Sequence, residues 1–328
     1  MLAALIEQLQ IFGRRVDLDV TALALDLVRG YSPEAVGEHW LQAADGFVAV
    51  HGARAADPNL DRPKRDVAAE LQRRGIAAAP ILTPEEALAD PGLPEPATLS
   101  QATPFRPGRR PVVLDLTHLV AGPFASFLLR LAGADILKVE RPETGDPLRY
   151  GEPAQFARLN SDKRRITVNI GTAEGGALLR KLATSADLVV ANLRRERFQK
   201  LPTPVLSMPG LGATGPYAGY RTYADTVHAM LGFSYQAGPA PLPWADYLAG
   251  ACAANRALDM LSSASAVSQA LPQAACMPRI IEGAWPQIAK REARPAPTPP
   301  LGEHNDEVFA DLGLDEATIN RLYVDGVI

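Results

Sequence analysis

The stretch that decides the fold runs from Val112 to Arg149 and reads VVLDLTHLVAGPFASFLLRLAGADILKVERPETGDPLR. It opens with the apolar run Val112–Leu116, which is typical of a buried strand. A helical pattern follows over Phe124–Ala134, and a second strand pattern covers Asp135–Glu140. A strand, a helix and another strand in succession form the unit from which parallel sheets are built.

The same alternation continues downstream. Strand patterns cover Arg165–Ile170, Asp187–Asn192 and Pro204–Met208, and an amphipathic helix is predicted over Thr172–Ser185. Helices between successive strands cover both faces of a parallel sheet. We therefore predict an α/β fold with a doubly wound, mostly parallel sheet, and we expect ligands outside the carboxyl ends of its strands.

The flanking regions differ from this regular part. The first region carries a strand pattern at Gly46–Val50 and a helix start at Thr83, with Pro84 at the first helical position. Proline-rich sequence without periodicity is typical of linkers. We predict a small α+β domain at 1–92, a proline-rich linker at 93–110, a large domain at 111–262, a second linker at 263–300 and a C-terminal segment at 301–328 that packs on the large domain.

Composition excludes several classes of protein. The chain has 328 residues and a formal net charge of -4, so nothing in its overall charge favours nucleic-acid binding. Its two cysteines, Cys252 and Cys276, have no spacing that suits a zinc site, and such sparse cysteine fits a reducing cytoplasm. No window is apolar enough for a membrane span, and the N-terminus is typical of an amphipathic helix rather than a signal peptide. We expect a cytoplasmic protein without a metal.

The usual nucleotide-binding motifs are missing. The segment Thr117–Pro123, which follows the first strand, has a single glycine where a dinucleotide fold needs G-x-G-x-x-G. Glu140 ends the second strand where a ribose-binding acid would lie, but one acid without the glycines is weak support. No P-loop and no G-x-S-x-G elbow occurs either.

Several blocks resemble one family in the family's own order. They are the stretch quoted above, then LNSDKRRITVNIGTAEGGALLRKLATSADLVVANLR, GLGATGPYAGYRTYADTVHAMLGF, WADYLAGACAANRALDML and PLGEHNDEVFADLGLDEATI. Together they resemble the family III CoA-transferases of the CaiB/BaiF type, a group that includes formyl-CoA transferase and α-methylacyl-CoA racemase. The resemblance implies a Rossmann-like large domain, coenzyme A as the acyl carrier, and transfer of CoA between an acyl-CoA and a carboxylic acid.

The order of the domains departs from the family. The segments DGFVAV and RRGIAAAPILTPEEALADPGL look like the family's small domain, which usually follows the large-domain core but here precedes it. We infer a rearranged, permutation-like order or a remnant of a longer duplicated ancestor. Neither the family's GQ-x-V-D-V-S strand after the Asp246 helix nor its glycine-run loop is recognisable.

Asp246 falls at the position of the family's nucleophilic aspartate, just ahead of a helix predicted over Tyr247–Ser262. The resemblance implies that its carboxylate attacks the thioester and passes through an aspartyl anhydride and an aspartyl-CoA thioester. A carboxylate is ionised at neutral pH at its usual pKa of about 3.9, so no general base is required. The alternative is that Asp246 caps its helix, because aspartate is a favoured N-cap.

The resemblance also implies two groups of binding residues. The acyl pocket is expected to contain His118, Val120, Ala121 and Tyr223. Coenzyme A is expected to bind Arg141, Val168, Gly171, Asn192, Leu193, Lys200 and Arg221, and Lys163 and Arg164 belong to a nearby basic block. Arginine and lysine suit the phosphates of CoA, although a solvated surface charge is the commoner role of each. Formyl-CoA transferases have glutamine where this chain has Val120, which favours a more apolar acyl group.

One position separates two reactions of the family. Its racemases have a histidine where this chain has Tyr223, so α-proton racemisation is disfavoured. His228 lies five residues further on, on a different face of the predicted helix. The resemblance implies a homodimer, possibly interlocked, or a heteromer with a sister subunit. A CoA-binding subunit with weak or no activity is the alternative function, and neither nucleic acid nor membrane is an expected partner.

Overall fold

The computed structural model describes residues 40–52, 58–98, 110–142, 144–160, 163–194, 198, 200–239, 243–263, 265–277, 310 and 315–324. The chain divides into two compact units, Met1–Ile281 and Glu282–Ile328. The predicted segment 1–39, most of the linker at 93–110, residues 278–300 and most of the C-terminal segment lie outside the described residues.

A small antiparallel sheet comes first in the described chain. It contains β1 (Trp40–Ala43), β2 (Gly46–Val50) and β3 (Ala78–Pro80), in the order β1-β2-β3. Helix α1 (Lys64–Arg73) packs on this sheet, and α2 (Pro84–Leu88) follows it. The hydroxyl of Thr83 accepts the amide hydrogen of Glu86, and the Glu86 carboxylate accepts the Thr83 amide hydrogen, so the predicted helix start is a complete capping box.

A six-stranded parallel sheet forms the larger part of the first unit. Its strands are β4 (Val112–Leu116), β5 (Asp135–Glu140), β6 (Arg164–Thr167), β7 (Leu188–Ala191), β8 (Val205–Ser207) and β9 (Gln269–Ala270). They lie in the order β6-β5-β4-β7-β8-β9, and each described pair is parallel. This is the strand order of a doubly wound dinucleotide-binding sheet, which confirms the predicted fold class.

Helices cover both faces of this sheet. They are α3 (Ala121–Leu131), α4 (Leu148–Gly151), α5 (Pro153–Asn160), α6 (Ala173–Ala183), α7 (Ala224–Met230), α8 (Phe233–Ala237) and α9 (Trp244–Ser262), and β9 is followed by a 3-10 helix (Gln273–Cys276). Alternate strand residues point to opposite faces: Val113 and Val190 pack with α3 and α9, whereas Leu114 and Val189 pack with α6. Because both faces are buried at the centre of the sheet, β4 and β7 are almost wholly apolar rather than alternating, whereas the edge strand β6 is mostly exposed.

Two sequence-based expectations need correction here. The strand that could not be recognised after the Asp246 helix is present as β9, which pairs Gln269 with Leu206 of β8. Because β9 and the 3-10 helix occupy the start of the segment predicted as a linker at 263–300, that segment is not a linker from its first residue. In the second unit, α10 (Glu316–Val324) is the described element, and the carboxylate of Asp315 accepts the amide hydrogen of Thr318 at its start.

Among the described residues, no helix is both long and apolar enough to cross a membrane.

Candidate active site

Asp246 lies within the first turn of α9 rather than ahead of the helix. Helix α9 begins at Trp244 after Pro243, and the Asp246 amide donates to the Pro243 carbonyl oxygen. No side chain caps this helix, so Asp246 does not have the capping role considered from the sequence. Its Oδ1 instead accepts a hydrogen bond from Nε2 of Gln273, a buried residue of the 3-10 helix.

The environment of Asp246 changes its acidity. Burial raises the pKa of its carboxyl group to about 7, against the opposing hydrogen bond from Gln273. The Asp225 carboxylate adds to the rise, and His51 counteracts it. At a pKa of about 7, roughly half of the molecules carry the carboxylate at neutral pH. The carboxyl group is thus a weaker acid than the ordinary aspartate assumed from the sequence.

His228 holds the turn that carries Asp246. Its Nε2 accepts the amide hydrogen of Ala245 at 3.2 Å, one residue before Asp246. Burial lowers the pKa of His228 to about 3, and the opposing field of Asp225 is too weak to prevent this. The ring is therefore neutral at physiological pH and can act as a hydrogen-bond acceptor.

The small sheet brings a further histidine to this region. His51 follows β2, and its Nδ1 lies 2.8 Å from Oδ2 of Asp225 in the first turn of α7. Its ring stacks on Tyr223, with ring centroids 3.6 Å apart and planes 12° apart. From sequence, racemisation was disfavoured because no histidine occupies the Tyr223 position. The structure places a histidine from elsewhere in the chain, His51, against Tyr223.

An apolar cluster adjoins the first turns of α9. Gly250 lies one turn after Asp246, and a Cβ there would be 2.6 Å from the carbonyl oxygen of Ala121. Val120 and Phe124 are buried in a cluster to which Tyr247 is packed, with its ring edge-on to Phe124. Val120 and Ala121 therefore lie beside the helix that carries Asp246, and their role in an acyl pocket stays a prediction.

His118 and Asn192 meet at the point where the strand order reverses. His118 follows β4, Asn192 follows β7, and these two strands are neighbours at the centre of the sheet. The Asn192 side chain accepts the His118 amide hydrogen at 2.9 Å and donates to the His118 carbonyl oxygen at 2.8 Å. Burial lowers the pKa of His118, although the nearby Asp146 carboxylate opposes this. Crevices at such reversal points are where open α/β sheets bind ligands.

The turn after His118 is conformationally strained. Leu119 has φ of 66°, in the left-handed region that residues other than glycine rarely adopt. Oδ1 of Asp146 accepts the Leu119 amide hydrogen at 3.0 Å. Asp146 is itself held by a buried ion pair with Lys138 at 3.2 Å, and Nζ of Lys138 also donates to the carbonyl oxygen of Thr117 at 2.7 Å. A buried charge pair thus fixes the backbone at the carboxyl end of β4.

Lys163 is part of this buried network and is not a solvent-facing phosphate ligand. Its Nζ contacts the side chains of Asp115, Ser126 and Asn160 and the carbonyl oxygen of Pro123. Burial lowers the pKa of Lys163 to about 8. Burial would raise the pKa of Asp115, but two lysine ammonium groups and two hydroxyl hydrogen bonds hold it well below its usual range.

The remaining predicted CoA-binding residues do not all lie at one place. Arg141 follows β5 and Val168 follows β6, so both share the carboxyl edge of the sheet with His118, Asn192 and Leu193. Arg141, Gly171 and Lys200 are exposed, while Val168 is buried. Arg221 lies in a different segment, which is docked on α1. The side chain of Gln72 in α1 hydrogen-bonds to both the backbone amide and the backbone carbonyl group of Arg221. Binding of CoA by these residues stays a prediction.

Sequence reasoning missed three side chains of the Asp246 region. They are Gln273, His51 and Asp225. Among the described residues, no group of three or more histidine, cysteine or acidic side chains is arranged to hold a metal ion.

The sequence model of CoA-transferase family III matches residues 111–269. Over this region the chain is similar to CoA-transferase family III. The match contains β4 to β8 of the large sheet and the Asp246 helix, and it ends on the first residue of β9. The small sheet that supplies His51 lies outside it.

Named members of the family resemble part of the chain. The succinate–glutarate CoA-transferase of Agrobacterium fabrum is 36% identical over 157 residues, which are 39% of this chain and 39% of that protein. The alpha subunit of the succinyl-CoA–L-malate CoA-transferase of Chloroflexus aurantiacus is 34% identical over 165 residues, 42% of this chain and 39% of that subunit. These matches span about two fifths of the length of each relative. A solved CaiB/BaiF family protein from Brucella suis is 26% identical, with a TM-score of 0.47 over 55% of this chain and 56% of that one.

Proposed function

We propose that this chain transfers coenzyme A between an acyl-CoA thioester and a carboxylic acid, with Asp246 as the nucleophile. The observation that carries the proposal is the setting of the Asp246 carboxyl group. It is half-buried, accepts a hydrogen bond from Gln273 and lies on a turn that His228 anchors. A nucleophile that is aimed by fixed hydrogen bonds and shielded from water reacts faster than a free carboxylate.

The proposed reaction conserves charge without a proton transfer. An Asp246 oxygen attacks the thioester carbonyl carbon, the C–S bond breaks, and CoA thiolate leaves a mixed anhydride. The thiolate then attacks the Asp246 carbonyl carbon, which releases the first acid as a carboxylate and forms an aspartyl-CoA thioester. The acceptor carboxylate attacks this thioester to form a second anhydride and free the thiolate. The thiolate finally attacks the acceptor's acyl carbon, which regenerates the Asp246 carboxylate.

The carboxyl edge of the large sheet is the proposed CoA site. Arg141, Lys200 and Arg221 would pair with CoA phosphates, because guanidinium and ammonium groups are the usual partners of phosphate. Asn192 and Leu193, together with Val168 and Gly171, would frame the adenine. His118, Val120, Ala121 and Tyr223 would surround the acyl group. The names of the relatives suggest succinyl, glutaryl and malyl groups, whereas the apolar cluster at Val120 favours an alkyl segment.

One assay tests the transfer and the nucleophile together. The purified chain is incubated with succinyl-CoA or butyryl-CoA and with isotopically labelled glutarate, L-malate or butyrate, beside Asp246→Ala and Asp246→Asn. We expect labelled acyl-CoA from the unmodified chain, and a loss of at least about a thousandfold in both variants because the covalent step is removed. Trapping with hydroxylamine should label Asp246 in the active chain. Equal turnover in the variants would rule out Asp246 as the nucleophile.

A CoA-binding subunit of a two-chain enzyme is the alternative. Relatives from Chloroflexus aurantiacus are named as an alpha and a beta subunit, which supports this alternative. Retained CoA binding without transfer by the chain alone would favour this function. The predicted dimer, its interlocking and the cytoplasmic location stay predictions.

A further inference from the structure

His51 is fixed in place by two contacts that leave one ring nitrogen open. Nδ1 lies 2.8 Å from the Asp225 carboxylate, which sets the tautomer, and stacking on Tyr223 sets the plane of the ring. The side chain is 42% exposed. Among the described residues, no group makes a hydrogen bond with Nε2. Carboxylate and aromatic supports of this kind orient an imidazole for a ligand.

Helix α7 brings His51 to the nucleophile. Asp225 in its first turn binds His51, and His228, three residues later on the same helix, binds the amide hydrogen of Ala245. The small sheet contacts α7 from one side through β2 and β3, and α9 contacts it as well. The electrostatic effect of His51 on the Asp246 carboxyl group agrees with this proximity.

The carboxylates around Asp246 would repel an acid substrate, and His51 could offset this repulsion. Asp225 and Asp246 would both repel the carboxylate of an incoming acid. Among the described residues, His51 is the group that opposes Asp225 in the electrostatic field at Asp246. An acid substrate must therefore approach two carboxylates, and a donor that is positioned beside them would offset the repulsion.

We propose that His51 is a specificity-determining residue whose Nε2–H binds the carboxylate of the acid that exchanges CoA. The inference rests on the proposed transfer reaction and adds a site residue outside the region that the family model matches. Asp225 orients the ring and Tyr223 supports its face. The role needs no proton transfer, because the transfer reaction moves none.

Steady-state kinetics with succinyl-CoA and glutarate separate this role from a structural one. His51→Phe keeps a ring against Tyr223 but removes both nitrogens, and we expect it to raise the KM for glutarate about tenfold or more, as expected for loss of a charge-assisted hydrogen bond. The KM for succinyl-CoA should change less than twofold. His51→Gln restores a donor and should recover part of the affinity. Gln42→Ala, on an exposed position of β1, should match the unmodified chain.

A binding measurement distinguishes failure of this inference from failure of the proposed function. The chain has five histidines, so the ring nitrogen resonances of a ¹⁵N-histidine-labelled sample can be assigned by comparison with His51→Phe. Glutarate should shift the His51 Nε2 resonance in the unmodified chain and in Asp246→Ala. A shift without transfer would contradict the transfer function and support the site. Transfer with no shift and an unchanged KM for glutarate would overturn the role of His51. The role of His51 would also be overturned if the unmodified chain exchanged the acyl α-hydrogen for solvent deuterium and His51→Phe abolished this exchange. His51 would then act as a base.

Discussion

A carboxyl group that is buried deeply enough to be shielded from water is also harder to ionise. Asp246 is half-buried, and this burial raises the pKa of its carboxyl group to about 7, while Gln273 and His51 favour the charged form. Reactivity as a nucleophile requires the charged form. The hydrogen bond from Gln273 therefore aims the carboxylate and also keeps it available at neutral pH.

The acidity of Asp246 predicts a pH dependence. The rate of acyl transfer should rise with pH and level off above about 7, because the attacking form is the carboxylate. Gln273→Leu removes a hydrogen bond that lowers the pKa of Asp246, so its profile should shift to higher pH. Rates with succinyl-CoA between pH 5 and 9 measure both profiles. A flat profile in the unmodified chain, or a shift to lower pH in Gln273→Leu, would contradict this account.

The sequence allows some residues of the Asp246 region to be predicted and not others. Asp246 could be chosen because its surrounding block resembles the family, and Asn192 because it ends a strand at the carboxyl edge. His51 could not be chosen, because it lies 174 residues from Asp225 and no local pattern links them. The helical pattern places His228 on a different face from Tyr223, yet its ring accepts a hydrogen bond from the turn that carries Asp246.

At the scale of elements, long apolar patterns predicted well and short ones did not. Strands β4 and β5 have the bounds predicted from their apolar runs. Strand β9 has two residues, too few for a pattern, and its position depends on pairing with β8. Helix α9 begins three residues before the predicted start at Tyr247, since Pro243 is well suited to precede a first turn.

Close packing of α9 on α3 gives a prediction with an internal control. A Cβ on Gly250 would meet the Ala121 carbonyl oxygen at 2.6 Å and the Phe124 ring at 2.8 Å, whereas one on Gly176 of α6 would have 3.7 Å to the Arg180 side chain. Gly250→Ala should lower the free energy of unfolding by about 1–3 kcal/mol through overpacking. Gly176→Ala should raise it by up to about 1 kcal/mol through helix propensity.

Thermal and urea unfolding of the two glycine variants measure these changes. Gly250→Ala should also reduce transfer activity, because the displaced helix carries Asp246. Equal stability of Gly250→Ala and Gly176→Ala would show that α3 and α9 can separate without cost.

For the molecule as a whole, contacts matter more than the order of segments along the chain. The small sheet precedes the large one, yet it docks on the segment that leads into α7. The Leu82 amide donates to the Ala229 carbonyl oxygen at 3.0 Å, and Gln72 pairs with both backbone groups of Arg221 at 2.8 Å. A domain moved along the chain can keep its place when its linkers are long enough. This docking is what places His51 near Asp246.

The contact between the small sheet and the segment before α7 includes a polar cluster that can be mutated without changing a residue of the site. The Tyr217 hydroxyl donates to Oδ2 of Asp90 at 2.7 Å and accepts a hydrogen bond from Arg65 at 2.9 Å. The Asp90 side chain is 5% exposed, so loss of a partner leaves its charge poorly compensated. Burial, followed by the Asp90 interaction, raises the pKa of Tyr217 to about 12, so the hydroxyl stays protonated and remains a donor.

Tyr217→Phe should therefore weaken the docking of the small sheet by about 1–3 kcal/mol, the usual cost of an unsatisfied buried group. Hydrogen exchange should accelerate at the Leu82 amide, which bonds across the interface, while the Val189 amide inside the large sheet should keep its protection. Tyr220→Phe is the matched control, because the Tyr220 ring packs edge-on against Tyr217 but its hydroxyl bonds to no described residue. If docking places His51 at the site, Tyr217→Phe should also raise the KM for glutarate. Unchanged exchange at Leu82 would mean that the apolar contacts of β3 with α7 hold the small sheet without this cluster.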